Sequence, residues 1–160
     1  MRLALTYVVV GAILCAPLAG ADRKSWNKVR YVGGTVAIKT SPYDWNTTIA
    51  VTVNPDTIVV GIAPAKIFSA QQTVRIKPSQ IDALLFGSGS WRRVAELAGA
   101  QMPAKTPGLF GLLEHRPFFA ILYETDDGKK AGMLLESYFG SEIQDVLKAL
   151  SGKEIEFLRQ

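Results

Sequence analysis

The chain has 160 residues but only one cysteine, Cys15, and one histidine, His115. Cys15 stands in an apolar leader, so the sequence beyond it has no thiol. A disulfide framework, a thiolate nucleophile and a cysteine-based metal site are thereby excluded from the folded part. His115 lies in Leu113-Glu114-His115-Arg116-Pro117. Neighbours on an extended chain point to opposite faces, so Glu114 is badly placed to orient the imidazole as a base. No D-x-D-x-D-G loop and no H-E-x-x-H motif occurs,. Asp126-Asp127 is accounted for by the turn it opens with Gly128,. Gly87-Ser88-Gly89-Ser90 lacks the third glycine of a dinucleotide loop, the Gly-Lys of a P-loop and the G-x-S-x-G nucleophile pattern,. It reads as a flexible loop. No catalytic, metal or cofactor-binding residue is assigned, and no cofactor is expected.

Concentrated charge is lacking too. Net charge is +4, and Arg2 carries one of those charges in the leader. Lysine and arginine are scattered, which gives no electrostatic footprint for nucleic acid. Two short basic-aromatic segments stand out: Lys24, Trp26, Lys28, Arg30 and Tyr31, and then Trp91-Arg92-Arg93. Either fits contact with an anionic surface or, more simply, a solvated strand edge with one aromatic packed inward.

Arg2 opens residues 1–21, and an almost unbroken apolar run from Leu3 to Leu14 follows. Pro17 ends the run, and Ala19-Gly20-Ala21 supplies a small-residue cleavage site. This is the layout of a secretory signal peptide cleaved between Ala21 and Asp22. An uncleaved N-terminal membrane anchor is the alternative, although the run falls short of a span. Residues 22–29 read as a short tether and 30–160 as one domain. The expected location is the periplasm or the outside of the cell. Asn46-Thr47-Thr48 matches a glycosylation sequon, which matters only in a eukaryotic secretory pathway,.

Period-two patterning dominates the rest. Val36 and Ile38 alternate with Ala37 and Lys39 after Gly33-Gly34, which predicts a strand over residues 32–39 with a bulge,. Residues 47–53 and 57–63, rich in Val, Ile and Thr, predict a hairpin closed at Asn54-Pro55-Asp56,. Strands are predicted over 73–77 and 81–86. One or two helical turns are compatible with 91–98, inside a long connection of residues 88–113. Residues 118–125 and 129–139 form a second hairpin around Asp126-Asp127-Gly128,. Ser141 and Gln144 fit a capping box for a helix over 141–151,. Ile143, Val146, Leu147 and Leu150 make its apolar stripe, and Gly152 is placed to end it,. Ile155 and Phe157 alternate with glutamates in a short final strand or extended tail.

Four features together resemble bacterial pleckstrin-homology-like domains, in the class that includes GRAM-like modules. They are Tyr31-Val32-Gly33-Gly34, the hairpin of residues 47–63, the passage from Ile76-Lys77-Pro78-Ser79-Gln80-Ile81 to Leu84 and Phe86-Gly87, and the strands of 118–139 with the helix after them. The resemblance implies a mainly β fold with one C-terminal helix: a seven-stranded, bent β-sandwich or partly open barrel capped by an amphipathic helix. It also implies a binding role and no enzymatic activity. Members that bind phosphoinositides carry basic residues at the end of the first strand and along the second. The first strand offers Lys39, but residues 47–53 have no Lys or Arg, so a phosphoinositide ligand is not expected.

The leading expectation is an exported module that binds a protein or peptide of the cell envelope, for example by strand addition. Its candidate surface is Trp91, Arg92, Arg93, Leu109, Phe110 and Leu112. Peripheral contact with a membrane stays open. A barrel that encloses a small ligand or lipid is second, and a hydrolase third.

Overall fold

A computed structural model of the chain describes residues 23–41, 44–53, 55–66, 69–99 and 118–159. The expected signal peptide therefore lies outside the described residues, as do His115, Leu109, Phe110 and Leu112.

Among the described residues eight strands form one open sheet: β1 (Arg23–Gly34), β2 (Thr47–Thr52), β3 (Thr57–Ile62), β4 (Gln72–Ile76), β5 (Ile81–Phe86), β6 (Phe118–Glu124), β7 (Lys130–Glu136) and β8 (Ile155–Phe157). Two helices, α1 (Ser90–Ala98) and α2 (Gly140–Ser151), pack on it. The order across the sheet is β4-β3-β2-β1-β7-β6-β5-β8, and the sheet does not close into a barrel. All neighbours are antiparallel except β5 and β8, which run parallel. The expected count of seven strands is corrected to eight because the C-terminal tail is itself a strand.

Strand β1 organises the whole. Its residues up to Val29 pair with β2, and those from Arg30 on pair with β7. The register slips once between Trp26 and Val29 and again between Tyr31 and Gly33. A bulge adds a residue to one strand and bends it, so one twelve-residue strand serves two half-sheets, β1–β4 and β5–β7. The tether expected over residues 22–29 is, from Arg23 on, the first half of this strand. The strand expected over 32–39 stops at Gly34, and Val36 and Ile38 pack against the core from the connection that follows.

The space between the half-sheets is filled. Ile49, Ile58, Ile62, Ile121, Met133 and Phe119 are fully buried there. Helix α2 closes the layer with Ile143 and Leu147, flanked by the partly buried Val146 and Leu150, which is the stripe the sequence predicts. The capping box is not made. The helix starts at Gly140 after Phe139, and Gln144 is wholly buried beneath it. Its Nε2 donates to the Leu85 carbonyl at 3.1 Å and the Ala120 carbonyl at 3.3 Å, which ties the helix to β5 and β6. Gly152 does end α2, with φ +70.

The opposite face of β5–β7 is covered by α1. Val94 is buried against Leu85, Ala120, Leu122 and Leu134, with Trp91, Ala95 and Ala98 beside it. The middle of the sheet is therefore apolar on both faces, while the outer face of β2–β4 carries Thr48, Thr73 and Arg75 into solvent.

Candidate interaction surface

Trp91, Arg92 and Arg93 do not share one surface. Trp91 joins the apolar cluster under α1, and its indole nitrogen is buried without a partner among the described residues. Arg92 and Arg93 face solvent, Arg93 at 4.0 Å from Glu96 one turn on. With Leu109, Phe110 and Leu112 outside the described residues, α1 offers two exposed cations and Leu97.

The first basic-aromatic segment is also largely absorbed. Trp26 and Tyr31 point into the core. Lys24 lies 5.4 Å from the Trp26 ring and 2.6 Å from Glu142 of α2. The Lys24 ammonium holds the Glu142 carboxyl below the usual range. Arg30 is buried in an ion pair with Glu136 of β7.

The sequon is a structural clamp. Asn46 Oδ1 accepts the Tyr31 backbone N–H at 2.9 Å and the Thr47 hydroxyl at 2.8 Å, while Nδ2 donates to the Ser41 carbonyl at 3.2 Å. The amide that a glycan would occupy is thus in use, fastening the β1–β2 connection to the bend of β1.

Gly87-Ser88-Gly89-Ser90, expected as a flexible loop, instead receives the C-terminal tail. The Gly89 N–H donates to the Leu158 carbonyl at 3.1 Å, and the Leu158 N–H to the Phe86 carbonyl at 2.8 Å. A Cβ on Gly87 would stand 2.5 Å from the Leu158 oxygen, and one on Gly89 would stand 2.9 Å from the Leu158 Cβ. Only glycine lets the two backbones approach so closely.

Three surface features escaped the sequence reading. One is the free edge of β4, which among the described residues pairs with β3 alone. Thr73 and Arg75 project from its outer face. Another is a surface hollow of about 260 Å³ beside the start of β4, lined by Ala37, Ile38, Lys39, Lys66, Ser69 and Gln72 among others. The Ala65 N–H donates to the Lys39 carbonyl at 2.9 Å and so joins the two connections that form it. The third is aromatic: Tyr138 and Phe139 stay exposed in the turn before α2, Tyr138 with its ring 5.7 Å from that of Trp45, while Phe157 is 73% exposed on β8. An edge strand was not recognisable from a short pattern, since edge or centre depends on what lies alongside. The hollow joins segments far apart in the chain, so no local motif announces it.

Burial raises two tyrosines above the ordinary phenol value. Desolvation dominates for Tyr31, whose hydroxyl donates to the Val36 carbonyl at 3.1 Å, and for Tyr123. Neither lines the hollow beside β4, and both belong to the apolar core, so they serve packing. Among the described residues no group of three or more metal-ligating side chains occurs, and no helix is long and apolar enough to cross a membrane. No family model, curated protein or solved structure matches the chain.

Proposed function

We propose that this chain is an exported, non-enzymatic binding module that takes an extended protein or peptide segment onto the free edge of β4. The observation that carries this reading is that edge, which has no second neighbouring strand among the described residues. A strand with one neighbour presents a row of main-chain donors and acceptors along its other side, and a partner strand satisfies them. Two further features support it. The space between the half-sheets is occupied by large apolar side chains, which favours a surface role over storage of a small ligand inside. Cations gather near the edge: Arg75 on β4, Lys77 just after it, and Lys39 and Lys66 in the hollow at its start. They favour a partner strand with acidic residues. We further propose a pleckstrin-homology-like architecture, which is supported by the bent first strand shared between two half-sheets and by the helix that follows β7.

The test is selection of extended peptides from a displayed library, followed by amide-shift mapping of a selected peptide on the labelled chain. Shifts running along residues 72–76, lost when Thr73 is replaced by proline in a chain that still folds, are the expected result. Shifts confined to α1, or to Tyr138 and Phe139, would move the site and reject the β4 assignment.

A further inference from the structure

At the other end of the sheet the chain itself fills the edge of β5, whereas no strand lies beyond β4 among the described residues. Leu84, Leu85 and Phe86 pair in parallel with Ile155, Glu156 and Phe157, and Leu158 settles on Gly87 and Gly89. The receiving groove is specific, because both glycines sit where any side chain would strike Leu158. Gly87 also has φ +105, which L side chains rarely adopt,.

The tail that fills it is held lightly. The strand is three residues long. Only Ile155 and Leu158 are partly buried, and Glu156 and Phe157 face solvent. Segments with few buried contacts open at a small fraction of the global free energy. The hinge is short: Lys153 and Glu154 alone separate the end cap of α2 from β8. Gly152 turns the chain there in the left-handed region, with no neighbouring atom within 4 Å of an added Cβ. It is free to adopt helical angles, which would extend α2 and carry the tail away from its own β5. Lys153, Glu154, Glu156 and Arg159 sum to no net charge, so two tails do not repel each other.

We propose that residues 153–159 form an exchangeable strand, so that two copies of this chain pair reciprocally, each tail adding to β5 of the other. The occupant is a second copy because the one sequence seen to fit this groove is the tail, and every copy carries it. Exchange remakes each β5–β8 contact between chains and alters only the hinge, which is why strand swapping is an inexpensive route to dimers. The inference does not depend on peptide binding at β4.

The experiment uses two full-length chains, both with Cys15→Ser, one with Phe86→Cys and the other with Phe157→Cys. Positions 86 and 157 are register partners with rings 5.7 Å apart, so a disulfide between the two chains forms when a tail enters the other copy's groove. Mixing at high concentration under mild oxidation is expected to give the mixed dimer in clear excess over either chain joined to itself. Mixed and self-joined dimers in random proportion would overturn the proposal. Should either variant fail to fold, sedimentation of the wild-type chain and of Gly152→Ala decides. A dimer fraction that grows with concentration, and is several-fold larger for Gly152→Ala, is expected. Monomer throughout for both chains would refute exchange.

Discussion

Arg30 and Glu136 are the register partners at which β1 leaves one half-sheet for the other. Their side chains are each only 8% exposed, and they form an ion pair. Burying two charges costs several kcal/mol per ion, and that cost is offset only while both are present. Glu136→Leu strands the guanidinium, and Arg30→Met strands the carboxylate. Each single substitution is expected to cost about 3–5 kcal/mol. At about 4 °C per kcal/mol for a domain of this size, Tm falls by roughly 10–20 °C. That is a large share of the about 5–15 kcal/mol that holds such a domain together. The double variant Arg30→Met/Glu136→Leu removes both charges and keeps the volume. It is expected to recover most of the loss, and a coupling energy on the order of 2 kcal/mol or more should appear in the double-mutant cycle. Urea unfolding followed by circular dichroism measures all four chains, with equal slopes required for the comparison. Single variants that lose less than about 1 kcal/mol would mean that the pair behaves as a solvated surface bridge. Additive losses in the double variant would mean that no coupling exists.

In a spectrophotometric titration, Tyr31 and Tyr123 should ionise at a pH above the ordinary phenol value, because burial desolvates both. Because their folded values are raised, the stability they contribute is complete below about pH 10 and is lost as the pH climbs beyond it. Ionisation of Tyr31 and Tyr123 at the ordinary phenol value, without unfolding, would contradict their burial. Gly87→Ala should loosen the tail by roughly 1–3 kcal/mol through strain at a positive φ,. Hydrogen exchange at residues 155–158 would speed up while β6 stays protected; unchanged exchange there would contradict the close approach of Leu158. Asp127 pairs with Lys129 at 2.8 Å and accepts the Thr125 hydroxyl, which together lower its carboxyl pKa to about 2. A lowered value means that its contribution to the β6–β7 turn is present above the ordinary carboxylate range and fades as the pH falls toward 2,. Carboxyl chemical shifts that titrate near pH 4, the ordinary carboxylate value, would refute this.

The local parts of the fold were readable because local patterns encode them. The 47–63 and 118–136 hairpins, the stripe of Ile143 and Leu147, and the stop at Gly152 rest on spacing and turn chemistry that short windows contain. The first half of β1 was not readable for a physical reason. Trp26 and Val29 both point inward although they are three residues apart, because the bulge between them breaks the period of two,. The result looks like a polar tether. Gln144 misled in a different way. Three positions after Ser141 it imitates a capping residue, yet it is a buried bridge to two sheet carbonyls. Trp91-Arg92-Arg93 drew attention as one motif, whereas helical geometry turns the indole inward and the guanidinia outward.

The bend in β1 links these observations to the proposed binding. A strand that bulges twice can join two half-sheets along one side, but it leaves the opposite side unjoined, with β4 at one end and β5 at the other. A sheet that stays open must manage two edges. At β5 the chain supplies a strand from its own tail, seated by Gly87 and Gly89. At β4 it supplies none among the described residues, and Arg75 with the neighbouring Lys77 prevents indiscriminate pairing with another basic edge. That difference supports the proposal that β4 takes a foreign strand and β5 a strand of the chain's own kind. The two roles separate by experiment. Thr73→Pro should abolish peptide binding and leave intact the mixed disulfide between the Phe86→Cys and Phe157→Cys chains, whereas Gly89→Val should do the reverse. If either substitution abolished both, the two edges would not act independently, and the division of labour argued from β1 would fail.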